Sequence, residues 1–534
     1  DMLEESIAHA FAIKDFSLVI LRIENSLNQI LTQGQFRNYL NWIDQIPDKY
    51  LEEKPRLEIV KIFMLHEMGR LDDRDKQLDY IENLLGPIPK DIQGLRKNEI
   101  INFGIFASIK TIIFASSDFL IEETYQFSEL ANKLLPYEYS IWRTLALGAI
   151  PFLHRALGDY KKSIPGHQRI LERVLDAGFI FQTFLTYSVM TKEYLETSKL
   201  KLALVTCQKA IDLDNQQSSK LPFAKYAYLL MGELLYQTGQ IAVAEEYVEK
   251  GLEHVVRHGE VFSIIDGYST LIRIQVANSD SEQALALIKE LKIVMSEFPI
   301  SGNSKKIVNA LEVYTKILLQ QCAQVTHWIE ELDFDHLDGS YLFDLGSHSY
   351  VGIYRVSQTP IRIYSDFIIL TAAKLYYCQN ELERAFDLVE GAVNRMTLEG
   401  STQYLIELLI VKAHILSKKQ LKTEALLVFQ EAVRLAAKEG FVQVFLNEGI
   451  EIRDLLESLK DLPTGEIEEQ VFILRLLEEI HMSTRNFPRN KDGDNVKLTA
   501  RETEVLETLS SGKSYALAAE TLSISRNTLK THTK

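Results

Sequence analysis

Lys530 and Lys534 stand four residues apart with Arg526 one turn earlier, so on a helix the three cations share one face. Such a patch meets phosphate, and nucleic-acid binding is the first chemistry to weigh. Other candidates fall away. Gly512-Lys513-Ser514 copies the end of a phosphate-binding loop, but Glu507 stands where that loop needs a glycine. His254 and His258 could clamp a metal beside Glu253, yet read better as a solvated helix end. The chain holds no G-x-S-x-G, no H-E-x-x-H and no Cys/His pair. The expectation is no catalytic residue, no metal and no enzyme.

The elements around the cationic face are legible. Thr499 followed by Glu502 forms a capping box. The helix it opens turns Val505, Leu506 and Leu509 inward and ends at Gly512. A second helix follows Ser514 with Ala518, Ala519 and Leu522 on one face; Ser523-Ile524-Ser525 makes a turn; and Ser525 caps a third helix, Arg526 to Lys534, with Leu529 inward. Helix, short turn and capped basic helix make a helix-turn-helix. The polar, breaker-rich stretch 483–497 before it reads as a linker.

The whole chain carries a net charge of −16, which disfavours nonspecific nucleic-acid binding, so a DNA-binding role must be local. The segment 498–534 agrees, with five Lys/Arg against four Glu. Apolar residues make up 46% of 534 positions, with 25 Phe and 23 Tyr, enough for large cores. Only 25 Gly and 12 Pro punctuate this length, which favours long helices. Cys207, Cys322 and Cys378 are scattered and odd in number, so neither a disulfide framework nor a zinc site is expected, and a reducing, cytoplasmic setting fits. The sequence shows no signal peptide and no apolar run of membrane-spanning length, so no membrane partner is expected. Asp1 and a last helix still in progress at Lys534 suggest part of a longer polypeptide.

The strongest internal signal is a repeat. Ala385, Leu388, Val389, Ala392, Val393 and Met396 form one apolar helix face, and Ala425, Val428, Phe429, Ala432, Val433 and Ala436 repeat it 40 residues later. Further copies begin at Ala203, Ala244 and Ala284. Twelve residues before three of these faces lie Gly232, Ala373 and Ala413, small enough to let two antiparallel helices approach closely. Each unit is therefore a helical hairpin, and hairpins that cannot bury both faces alone must stack into a solenoid. The expected fold is all-α: N-terminal helical hairpins over 1–135, a repeat region over 136–482 with an irregular insert at 333–359, and a small helix-turn-helix head over 498–534. In a curved stack the first helix of each hairpin lines the concave face. Counted from the small residue, positions −6, +1 and +4 point inward. They are Tyr226, Glu233 and Tyr236; Asp266 and Arg273; Phe367, Lys374 and Tyr377; and Glu407, His414 and Ser417. Aromatics with a few charges suit a polar small molecule, such as a sugar, or a peptide.

The hairpins resemble tetratricopeptide repeats of unusual length. The string LTARETEVLETLSSGKSYALAAETLSISRNTLKTHTK resembles the LuxR-type helix-turn-helix, departing from it at Ala518, Leu529 and Thr533 and lacking a fourth helix. By that resemblance the third helix enters the major groove. Lys530, Thr531 and Lys534 match base-touching positions, while Ser525, Arg526, Asn527 and Thr528 position the helix on phosphate. Three further stretches are similar to the sensor region of MalT-like regulators: Ser6-Ile7-Ala8-His9-Ala10-Phe11 with Asp15-Phe16, Trp42-Ile43-Asp44-Gln45-Ile46-Pro47, and Glu439-Gly440-Phe441 through Gly449. The resemblance implies a regulator, an activator by preference, that binds double-stranded DNA, answers a small-molecule or peptide inducer, self-associates and contacts RNA polymerase. It implies no cofactor within this chain, ATP acting only through an upstream ATPase module. The alternative is a helical-repeat scaffold for protein partners with a vestigial head.

Overall fold

The computed structural model describes residues 2–486 apart from breaks at 69, 88–93, 119, 217–223, 259–260, 297–301, 332–360, 400–401, 403 and 462–465. The expected insert at 333–359 and the helix-turn-helix segment fall outside these residues. The chain divides into two compact units, 1–478 and 479–534. No strand occurs among the described residues.

The repeat region is built from helical hairpins: Ser140–Ala156 with Tyr160–Asp176, Ile180–Glu196 with Leu200–Asn215, Lys225–Gln237 with Ile241–His258, Val261–Ala277 with Ser281–Ser296, Ile361–Cys378 with Leu382–Glu399, and Leu405–Lys418 with Lys422–Glu439. Every turn is made the same way. The first helix ends at a residue in the left-handed region: Gly158 (φ 76°), Ser198 (50°), Gly239 (83°), Ser279 (62°), Asn380 (63°) and Gln420 (65°). The next N–H then reaches back to a carbonyl of the last turn, as Lys199 does to Tyr194 (2.7 Å) and Leu421 to Leu416 (2.9 Å). Five residues past the last five of these left-handed positions stands the first member of the apolar stripe. Ala203, Ala244, Ala284, Ala385 and Ala425 are all fully buried there. Gln320 (φ 59°) closes helix Gly302–Leu318 in the same manner, but 3₁₀ turns at Cys322–Gln324 and Thr326–Glu331 follow instead of a second helix.

Gly232 shows why the small position matters. A Cβ there would meet Val248 Cγ2 at 2.4 Å and the Ala244 carbonyl oxygen at 3.1 Å, so the two helices of this hairpin touch through the glycine. Gly232→Leu should destabilise the repeat region by about 1–3 kcal/mol, the usual cost of overpacking. Urea denaturation followed by circular dichroism measures it, and an unchanged midpoint would show that this contact yields freely.

The N-terminal part is also helical, with Met2–Ala12, Phe16–Gln33, Phe36–Ile43, Pro55–Glu67, Leu71–Leu85, Lys97–Ile113 and Ile121–Leu134. Two expectations need correction here. The segment Lys97–Ser116 is long and apolar enough to cross a membrane by length and composition, although most of it is buried inside the fold. It is apolar all round because neighbouring helices surround it. Cys322 and Cys378 are paired as a disulfide, their Cα atoms 6.3 Å apart, a single bridge where the scattered spacing led to no disulfide framework being expected. Cys207 is buried and unbridged. The last helix, Ile467–Asn486, runs on into the stretch expected to be linker.

Candidate functional site

The repeats turn far enough to close on themselves. Thr402 N–H donates to the Glu196 carbonyl (2.8 Å), and Val442 N–H to the Gln237 carbonyl (2.9 Å). Ser198 Oγ donates to the Thr402 carbonyl (2.9 Å), and Asn447 Nδ2 to the Tyr236 hydroxyl (3.0 Å). These contacts join residues more than 200 apart in sequence. They leave an axial cleft of about 910 Å³, the space open to solvent included.

The cleft is lined by first helices of the hairpins. Tyr226, Glu233, Asp266 and Arg273 come together there with Phe367 and Glu407. The other inward candidates lie close by but outside the lining. Tyr236 packs under Arg273, whose guanidinium carbon lies 4.8 Å from the ring centre, and its hydroxyl serves the closure. Lys374 is buried and pairs with Glu448, with Glu407 at 3.9 Å. Tyr377 and His414 stack on each other at 5.8 Å, and His414 Nε2 faces Glu448 at 3.8 Å. Ser417 is half-buried and does not line the cleft.

The lining also holds residues outside the predicted inward set, among them Lys192, Tyr314 and Tyr404. The first two had a signal. Lys192 and Tyr314 hold the same position as Glu233 and Arg273, six residues before the left-handed residues Ser198 and Gln320. The stripe that would mark the position is faint after Lys192, and after Tyr314 no second helix follows to carry one.

Charge in the cleft is paired between helices. Lys192 Nζ bonds Asp266, and Arg273 bonds Glu233, which also accepts from Thr270 Oγ1 and Gln237 Nε2, each at 2.7 Å. Burial pushes the Glu233 carboxyl up, but the Arg273 guanidinium and these hydrogen bonds outweigh it and leave it below its ordinary value. Glu407 goes the other way: burial raises it, and Lys374 and the Tyr314 hydroxyl, which donates to it at 2.7 Å, compensate only in part. Below the cleft, Arg155 is wholly buried and grips both carboxylate oxygens of Glu196, its Nε at 3.1 Å. The result is a rigid, prepaired polar lining with aromatic walls. It can hold a polar ligand by hydrogen bonds and ring contacts while its own charges remain compensated.

The nucleic-acid candidates Ser525, Arg526, Asn527, Thr528, Lys530, Thr531 and Lys534 lie outside the described residues. For them and for the repeats, comparison with known proteins is direct. Residues 107–462 match the family described as MalT-like TPR region, and residues 496–534 match bacterial regulatory proteins of the luxR family. The chain is 20% identical to the HTH-type transcriptional regulator MalT of Vibrio campbellii and 19% identical to that of Vibrio cholerae, over 99% of its own length and 57% of theirs. It thus spans just over half the length of these curated relatives. Among solved structures it is similar to a Rap protein complexed with competence and sporulation factor (TM-score 0.39, 12% identity, 82% of this chain and 99% of that one). Yeast Tom70 follows (TM-score 0.32, 12% identity, 91% and 96%). Likeness at that level adds nothing about fold or ligand. The match to the repeat family covers more than half of the chain and the luxR match follows it in sequence, so the chain belongs to the MalT-like, LuxR-family regulators: a tetratricopeptide-type helical solenoid followed by a helix-turn-helix.

Proposed function

We propose that this chain is the sensing and DNA-binding part of a transcriptional activator, in which occupancy of the axial cleft controls the helix-turn-helix. The observation that carries the reading is the luxR match over 496–534 joined to a repeat region whose cleft combines aromatic walls with paired charges. Tyr226, Glu233, Asp266 and Arg273 form the ligand wall, joined by Lys192 and Tyr314. Tyr236, Lys374, Tyr377 and His414 support it from the closure. Because the acids and bases are already paired, a neutral polar ligand such as a sugar or a short peptide fits without stranding a charge. Self-association and contact with RNA polymerase follow from the same reading, since half-sites are read by paired heads.

Lys530, Thr531 and Lys534 read bases in this account, and Ser525, Arg526, Asn527 and Thr528 hold phosphate. Lys530→Ala and Lys534→Ala should each cost about 1–3 kcal/mol on a preferred site. An equal loss on random duplex would reassign them to phosphate. The proposal as a whole is tested by DNA binding as salt is raised. A working head loses affinity steeply because neutralised phosphates release counterions. A helical-repeat scaffold shows no such DNA binding and retains a protein partner instead.

A further inference from the structure

Away from the axial cleft, a second cavity of about 580 Å³, its mouth included, opens between the N-terminal helices and the first two repeat hairpins. Its walls are chiefly apolar, with Phe63, Phe152 and Phe181 among them. One carboxyl stands out. Glu67 lines the cavity, is only 4% exposed, and its Oε2 has no hydrogen-bond partner. We propose that this cavity is a second ligand site, for a small primary amine with an apolar body, whose ammonium pairs with Glu67.

The chemistry of the site selects that class. Glu67 is the last residue of helix Pro55–Glu67, where the helix dipole disfavours an anion and favours a cation. Three other polar groups at the cavity are engaged. His167 Nδ1 meets Glu193 at 2.9 Å, Ser116 Oγ donates to the Ile112 carbonyl at 2.6 Å, and Thr186 Oγ1 to the Gln182 carbonyl at 2.7 Å. What the site lacks is a donor for Glu67, and an ammonium brings three. An anionic ligand would meet the Glu67 carboxyl, and the one basic side chain in the lining, His167, is already turned to Glu193; a polyol would strand hydroxyls against the phenyl rings. Aromatic walls add cation–π attraction. The site is also built for access. Gly148 lines it, and a Cβ there would meet only Ile170 Cγ2, at 3.8 Å. Ala115 and Ser116 reach it from a π-helical turn, Phe114–Asp118, a distortion that clusters at functional sites. Burial pushes the Glu67 carboxyl up to about 8, so the site by itself favours the protonated acid, which releases its proton to solvent when an ammonium pairs with it.

Helix Ile180–Glu196 walls both spaces: Phe181, Leu185 and Val189 face this cavity, and Lys192 and Glu196 the axial cleft. An amine bound here therefore reaches the sensor through one rigid element.

The test uses the full chain, benzylamine as probe and benzyl alcohol as its neutral counterpart, read by calorimetry and thermal shift. Benzylamine should bind saturably and raise the melting temperature. Binding should weaken by about tenfold or more for benzyl alcohol and for Glu67→Gln, the gap between a charge-assisted and a neutral hydrogen bond. Gly148→Leu, which puts a side chain where the lining now has none, should abolish it. No saturable binding to the folded wild type would overturn the proposal. So would equal binding of amine and alcohol, or amine binding that Glu67→Gln leaves unchanged.

Discussion

Arg155→Ala should destabilise the repeat region by about 3–5 kcal/mol, the cost of stranding one member of a buried ion pair. Arg155 has no exposed surface and Glu196 almost none, and the guanidinium contacts both carboxylate oxygens. Removing it leaves Glu196 charged at the wall of the axial cleft, with buried Glu193 one turn away on the same helix. The pair itself is a different matter from its breakage. Replacing both partners, Arg155→Met with Glu196→Leu, should recover most of the loss, because desolvating two charges consumes much of what their attraction returns. Urea denaturation of the three proteins decides this. A single variant within about 0.5 kcal/mol of wild type, the range of ordinary surface substitutions, would mean that the site admits water and the pair is not buried in solution.

The second large effect is a gain. Glu67→Gln should stabilise the protein, and the gain should grow with pH. The sign follows from the shift: the folded carboxyl titrates at about 8 against an ordinary 4.5, so the folded state prefers the protonated acid. The stability tied to that protonated form is complete below pH 4.5 and is lost as pH rises towards 8. Glutamine, which does not titrate, escapes the loss. Between pH 5 and pH 7 the difference between variant and wild type should widen by roughly 2–3 kcal/mol, at 1.36 kcal/mol per unit. Taking the difference cancels groups common to both proteins, including His66, His167 and Glu193. Melting temperatures across that range check it, and a difference that stays flat would show Glu67 to be hydrated.

The sequence revealed the period of the repeats because a single physical constraint recurs every 40 residues or so. A tight helix–helix contact needs a small residue, and Ala244, Ala284, Ala385 and Ala425 mark it plainly. The same template could have been started one unit earlier. Ser163, five residues past Gly158, holds the corresponding buried position, but a hydroxyl followed by Pro165 and Gly166 hides the apolar stripe. The inward positions were legible for the same reason as the stripe, since they follow from helix geometry once the small residue is fixed. The closure was not. Contacts such as Thr402 to Glu196 and Val442 to Gln237 depend on the summed rotation of many hairpins, and no local pattern records that sum. Glu67 was equally hidden, because a glutamate after Ile-Phe-Met-Leu-His reads as the polar end of an apolar helix. Only the packing of later helices over it makes it a buried acid.

The central claim is that residues 498–534 read a DNA sequence on behalf of the repeats. Its most direct test is selection of genomic DNA fragments by this protein beside the Lys530→Ala, Lys534→Ala double variant, at low salt. The account predicts enrichment of a defined sequence by the wild type and its loss in the variant, with both proteins equally folded. Absence of enrichment by the folded wild type, or enrichment that the double variant retains in full, would contradict it.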